Sequence, residues 1–411
     1  MKNNAIQFSH IHVIISFHLI IIGLMLDEQG ISFVKKLISD YYRSSYRIGP
    51  DRMEQREFGA GNFERKIAFR HLSFPNSEEL RRYLVRESPP YVSYSSSYYR
   101  FPAGRPMEAK GWLGAELVFD LDATDINLPC QKTHGRGWVC RNCLDSVKAE
   151  TIKLVDEFLI PDFGFSSGEI SINFSGNRGY HVHVSDKATY SLNSAERKEI
   201  TDYIAGIGVE MQEFFPTLGM RGKSLTGPKP SDKGWAGKMA RHFLAIMDKG
   251  TDAMMELGID RQTANMIYKK RALIQLGINS GNWDMAYIKN KADFWKRILE
   301  NLTIKQSDRI DRNVTNDTSH LIRLPNTIHG ETGLIAKVVG RVSDLERFDP
   351  MKDAIAFRRG EMKISANTNF EIYMNGLRFG PYGGNIKVPI YVGIYLYLKG
   401  YAKLLEMPQT K

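Results

Sequence analysis

The order of apolar and polar positions divides this chain into helix-like and strand-like stretches. Ile31, Val34, Leu37, Ile38 and Tyr41 recur at helical spacing, which predicts an amphipathic helix over LDEQGISFVKKLISDYYR. Asn76–Val85 reads as a second helix, with Asn76 at the capping position and Glu79 three residues on. Residues 88–107 are rich in Ser, Tyr and Pro and read as irregular or edge structure. Ala149–Leu159 looks helical, and GEISINFSGNRGYHVHV (168–184) reads as two strands joined by a glycine-containing turn. Ser194–Phe215 predicts one long amphipathic helix with a capping serine. Residues 217–235 are rich in Gly, Pro and Lys and suggest a linker, 236–304 are helical in tone, and strand-like signals return at 311–342. The closing VPIYVGIYLYLKGYAKLLE fits a buried helix or a strand plus helix, between which periodicity does not decide. The pattern predicts an α/β lobe made of 25–216 and 305–411, interrupted by a linker and helical subdomain at 217–304.

The N-terminal run VIISFHLIIIGLML (Val13–Leu26) is shorter than a typical membrane span. Only Lys2 precedes it as a base, and no clear cleavage site follows, so it is a poor export signal. The preferred reading is that translation begins at Met25 and that 1–24 is an extension of doubtful status; no membrane association is expected. With 411 residues the chain is long enough for a sizeable core. Its 56 Lys and Arg against 46 Asp and Glu give a net charge of +10, which favours an anionic partner such as nucleic acid.

The three cysteines all lie in LPCQKTHGRGWVCRNC, as C-x3-H-x5-C-x2-C. An odd, clustered set with a histidine does not suit a disulfide framework. Cys130, His134, Cys140 and Cys143 supply the four ligands of a closed tetrahedral zinc site, which implies a structural ion. Lys132, Arg136, Trp138 and Arg141 around it would suit nucleic-acid contact.

LVFDLDATD (117–125) places Asp120 and Asp122 two residues apart at the end of an apolar run. In a strand they project from one face, about 7 Å apart, and repel unless a cation sits between them; the alternative is an ordinary strand end with two solvated acids before a turn. In SGNRGYHVHV, Gly176 and Gly179 permit close backbone approach, Arg178 can fork two phosphate oxygens, and His181 and His183 share a strand face. DRNVTNDTSHLIRLPNTIHGETGL (311–334) adds Asp311, Asp317 and a His329–Gly330 turn. Taken alone, His329 reads better as a satisfied turn histidine, and Asp125 and Asp317 as turn or cap acids.

In that order, these four motifs resemble the small, catalytic subunit of archaeal and eukaryotic DNA primases, with the histidine in the zinc set closer to the archaeal branch. REFG (56–59) and the terminal VPIYVGIYLYLKG also look like family segments. The resemblance implies a primase catalytic fold: a mixed sheet flanked by helices, a zinc-bearing loop and a variable helical subdomain. It implies template-directed synthesis of short primers from nucleoside triphosphates on a single-stranded DNA template. In that mapping Asp120, Asp122 and Asp311 bind catalytic magnesium or manganese, and Ser175, Arg178, His181 and His329 hold the incoming triphosphate. It also implies a large primase subunit as partner, and a cytoplasmic, nucleoid-associated location in an archaeal cell or a nuclear one in a eukaryote. One departure stands out: many members carry lysine two positions after the histidine, where this chain has Glu331, and nearby Lys337 is a candidate to compensate. The alternatives are a primase-polymerase of DNA repair and a non-catalytic, zinc-stabilised nucleic-acid-binding protein.

Overall fold

The computed structural model describes residues 26–44, 49–217, 224–284 and 311–406, together with 288, 294, 295, 297, 298 and 300–302. The apolar N-terminal run up to Met25 lies outside the described residues, as does part of the expected 217–235 linker. The chain divides into two compact units: Met1–Ala149, Gly168–Ser194 and Asn313–Lys411 form the first, Glu150–Ser167 and Ala195–Arg312 the second. Residues 217–304 fall wholly within the second unit, which also takes in Glu150–Ser167 and the stretch from Ala195 onward.

The first unit is organised around antiparallel sheets. Strands β1 (Phe58–Gly61), β2 (Phe69–Leu72) and β3 (Tyr91–Ser95) come first, then β4 (Ser97–Tyr99), β5 (Trp112–Ala115) and β6 (Leu117–Asp122). They are followed by β7 (Ile170–Phe174), β8 (Gly179–Val184), β9 (Leu321–Arg323) and β10 (Val338–Gly340). One sheet has the order β2-β1-β3-β9, another β10-β7-β8-β6, and β4 pairs with β5. Among the described residues every strand pair is antiparallel, including those expected in a mixed sheet. For β7 and β8 the reason is local: a turn this short can only join antiparallel neighbours.

The N-terminal helix, Glu28–Ser44, forms as its period predicts and buries Phe33, Val34, Leu37, Ile38 and Tyr42. Tyr42 rather than Tyr41 completes the stripe; Tyr41 instead donates its hydroxyl to the Asn326 carbonyl at 3.0 Å. Helix Ser77–Glu87 is capped by Asn76, which accepts from the Glu79 amide at 3.0 Å. The closing segment is a buried helix, Ile390–Leu398, followed by a strand, Ala402–Glu406, that pairs with Glu361–Thr368.

Three expectations differ from the structure. Residues 88–107 are irregular or edge structure only in part: 100–106 are irregular and β4 lies in a two-stranded sheet, but β3 lies inside its sheet between β1 and β9, with all five residues buried. Its Tyr and Ser side chains are polar in name, but the Tyr rings are apolar packing surface, and the Ser95 hydroxyl donates to the Ser97 carbonyl and accepts from the Glu57 amide. The helix expected over Ser194–Phe215 stops at Ala205, because Gly206 (φ 71°) and Gly208 (φ 81°) turn left-handed, and only a short turn, Met211–Phe214, follows. The helix expected at Ala149 begins earlier, at Arg141, and ends in a π-helical turn, Val155–Leu159.

The second unit is helical, with Gly234–Lys249, Thr251–Met255, Arg261–Lys269 and Arg271–Asn279. Trp295 meets Phe243 and Trp283 edge-on in its core, with ring centroids 4.7 Å apart between the two tryptophans, and Phe243 is tilted against Trp283.

Candidate functional site

The period-2 logic of β6 holds. Leu117, Phe119 and Leu121 are buried on one face, while Asp120 and Asp122 emerge together on the other with about a quarter of each side chain exposed. Register with β8 sets Asp120 opposite His181 and Asp122 opposite Gly179. The close approach at Gly179 is obligatory, since a Cβ there would lie 2.0 Å from the Leu121 carbonyl oxygen.

Asp122 is held on both oxygens. Its Oδ1 accepts from the Thr124 amide and hydroxyl, each at 2.8 Å, and its Oδ2 accepts from Arg178 Nε at 3.2 Å. Burial would raise its pKa, but the Arg178 charge and the Thr124 hydrogen bonds outweigh it and hold the carboxyl below its usual range. Asp120 Oδ1 lies 3.6 Å from His181 Nε2. Burial, together with nearby His183, Arg323 and His320, drives His181 well below the ordinary histidine value, so it is neutral at pH 7.

The turn between β7 and β8 is shaped by its own hydroxyl. Ser175 Oγ accepts from the Gly179 amide at 3.1 Å, and Gly176 takes φ 86° with no room for a side chain beside His329 Cβ. The His329 loop is tied to this turn by Thr332, whose hydroxyl donates to the Gly176 carbonyl at 2.6 Å. His329 Nδ1 accepts from the Glu331 amide at 3.2 Å, so the neutral ring carries its proton on Nε2. Burial first, then the positive charge of Arg323, Lys66 and Lys399, keeps this imidazole well below its ordinary value despite Glu331.

That depression has a thermodynamic consequence. A histidine neutral when folded and free to protonate when unfolded leaves stability intact above about pH 6.5 and erodes it below, by about 1.4 kcal/mol per pH unit. Denaturant midpoints measured from pH 7 to pH 5 should fall more steeply for the wild type than for His329→Gln, and parallel curves would refute the assignment.

Three residues converge here that their sequence context did not single out. Arg323 on β9 lies over the Tyr91 ring, 4.9 Å from its centroid. Lys66 pairs with Glu331 at 3.1 Å, and Lys399 donates to Asn177 Oδ1 at 3.0 Å. Only the charge of Arg323 between buried Ile322 and Leu324 offered a signal in the sequence. Lys337 does not compensate for Glu331, because its ammonium is bonded to the Asp353 carbonyl at 2.8 Å. Asp317 plays the turn role expected of it, accepting from the Ser319 amide and hydroxyl. Asp311 is half-buried, one residue ahead of helix Arg312–Asn316, and belongs to the second unit, whereas Asp120 and Asp122 belong to the first.

Cys130, His134, Cys140 and Cys143 offer ligand atoms that all lie within 4.8 Å of one another. Cys143 Sγ is 3.6 Å from Cys130 Sγ, Cys140 Sγ and His134 Nε2. A zinc tetrahedron with bonds of about 2.3 Å has sulfur–sulfur edges of about 3.8 Å, so these atoms can hold such an ion. The Gly135 carbonyl, 2.7 Å from His134 Nδ1, turns Nε2 towards the sulfurs. Burial pushes the Cys143 thiol up to about 12, so metal binding must release its proton. Lys132, Arg136 and Arg141 are exposed, but Trp138 is not a free nucleic-acid contact: it is buried against Phe370, Tyr395 and Tyr401, with centroids 4.1, 5.7 and 5.3 Å away.

An acid pair on a strand, faced by an arginine and a neutral histidine and accompanied by a thiol–imidazole loop, defines an α/β protein with a metal- and anion-compatible site. The profile of the DNA primase small subunit family matches residues 119–341, spanning the acid pair, the cysteine loop, the β7–β8 turn and His329. The DNA primase small subunit PriS of Methanococcoides burtonii is 34% identical over 391 residues, covering 90% of this chain and 97% of that protein. Those of Methanothrix thermoacetophila and Methanoregula boonei are 32% and 33% identical, covering 92% and 90% of this chain and 100% and 98% of theirs. The chain belongs to the DNA primase small subunit family and is of the archaeal type. No described helix is long and apolar enough to cross a membrane.

Proposed function

We propose that this chain synthesises short primers on single-stranded DNA, joining nucleoside triphosphates by two-metal nucleotidyl transfer during replication. The observation that carries this reading is the placement of Asp120 and Asp122 on one face of β6, across from His181 and beside Arg178. Carboxylate oxygens suit magnesium or manganese, and Asp120, Asp122 and Asp311 would hold these ions. When bound, the ions make the attacking hydroxyl nucleophilic and stabilise the pyrophosphate leaving group. Asp311 is proposed as the third carboxylate on the resemblance of DRNVTNDTSHLIRLPNTIHG to the family motif.

The chain's own groups bind and orient the triphosphate. Arg178 forks two phosphate oxygens, neutral His329 donates its Nε2 proton, and Ser175 retains a hydroxyl proton while accepting from Gly179. His181 holds its position beside Asp120 without adding charge. The zinc loop is structural, since four protein ligands leave no position open for chemistry. The surplus of positive charge suits sequence-tolerant contact with a phosphate backbone. The relatives' name, small subunit, supports a large-subunit partner. A cytoplasmic, nucleoid-associated location follows from this role.

Labelled oligomers should appear on an unprimed single-stranded template with magnesium or manganese, with the large subunit present. Running ribonucleotides beside deoxynucleotides, with and without a primer, separates a primase from a repair primase-polymerase. Template binding with no synthesis under any of these conditions would leave only a non-catalytic binding role.

A further inference from the structure

Glu331 is a carboxylate beside the proposed phosphate site, where a bare negative charge would repel substrate. The structure shows what surrounds it. Its Oε1 lies 3.1 Å from Lys66 Nζ, and its Oε2 accepts from Asn177 Nδ2 at 3.0 Å. Asn177 in turn accepts from Lys399 at 3.0 Å through its Oδ1. Asn177 sits in the β7–β8 turn next to Arg178, and Glu331 sits two residues after His329. The network therefore joins the two loops expected to hold the triphosphate and brings two lysines to them. Glu331 and Lys399 are buried, whereas 37% of the Lys66 side chain is exposed.

We propose that Lys66 is a triphosphate-binding residue and that Glu331 is the positioning residue that holds it over the β7–β8 turn. An ammonium carries three N–H donors in a compact head on a flexible stem. Glu331 takes one donor and fixes the stem, leaving the others for the non-bridging oxygens of a terminal phosphate. The carboxylate adds no net repulsion, because Lys66, Lys399 and Arg178 surround it, and these cations hold it ionised. A cation from the β1–β2 connection thus supplies the positive charge that its neighbours in the His329 loop do not. Lys399 serves as a second, buried counter-charge that keeps Asn177 turned towards Glu331.

The inference rests on the triphosphate reading above, and the test separates the two. Binding of a nucleoside triphosphate and of the matching nucleoside monophosphate is titrated with magnesium for the wild type, Lys66→Ala, Lys66→Arg and Glu331→Gln. Lys66→Ala should weaken triphosphate binding about tenfold or more and leave the monophosphate within about twofold, because the lost contact is to a terminal phosphate. Lys66→Arg should recover most of the loss. Glu331→Gln should raise the KM for triphosphate several-fold with little change in kcat, since it loosens the lysine without removing it. Wild-type triphosphate affinity in Lys66→Ala, or an equal loss for both nucleotides, overturns the role of Lys66. No triphosphate binding by the wild type overturns the parent reading and this inference with it.

Discussion

The Asp120→Asn, Asp122→Asn double variant is expected to lose primer synthesis by about a thousandfold while keeping its fold. Asparagine matches aspartate in shape but loses the charge that binds a hard cation. At position 122 the amide oxygen can still accept from Thr124, so the turn after β6 is preserved. Arg178 loses its ionised partner, yet it remains partly solvated, and the melting temperature should move by only a few degrees. Zinc content, circular dichroism and binding of single-stranded DNA should match the wild type. Product equal to the wild type would return the acid pair to an ordinary strand end.

Removal of zinc is the second change with a large expected effect, and it acts on folding rather than chemistry. Purified protein should carry about one zinc per chain, retained through dialysis against a weak chelator, while magnesium or manganese exchanges freely. A strong chelator, or Cys143→Ala, should cost on the order of 4 kcal/mol and lower the melting temperature by roughly 10 °C. The loss extends past the loop because Trp138 is packed into the Phe370, Tyr395 and Tyr401 cluster. Its indole should become wetter, with a red-shifted emission absent from a Trp138→Phe control. Zinc-free protein with unchanged melting and emission would make the four-ligand cluster incidental.

The sequence conveyed best what depends on short-range spacing. Asp120 and Asp122 share a face because a strand has a period of two, and the four candidate zinc ligands are gathered by a turn and the start of a helix. Asn76 caps its helix through a bond that spans only three residues. Long-range placement was far less legible. Nothing in the local pattern around Lys66 or Lys399 distinguishes them from solvated lysines, and their role depends on partners in the turns that carry Glu331 and Asn177. Glu331 looked like an unexplained departure because its counter-charge comes from elsewhere in the chain. Trp138 was misread because its aromatic partners lie near the C-terminus. β3 was misread because tyrosine and serine signal edge structure unless a sheet closes on both sides.

The bond between Lys399 and Asn177 joins residues 222 positions apart. Closing a loop of that size is slow, and its entropy is recovered only when both ends are in place. A chain still emerging from the ribosome would carry the acid strand and the β7–β8 turn long before Lys399 is made. Over that interval Glu331 lacks one of its two lysines and Asn177 has no ammonium to orient it. The proposed phosphate-binding half of the site would therefore be completed late, by the residue that caps the last described helix. Truncation before residue 399 should yield protein that retains the acid pair but has an unfinished anion site.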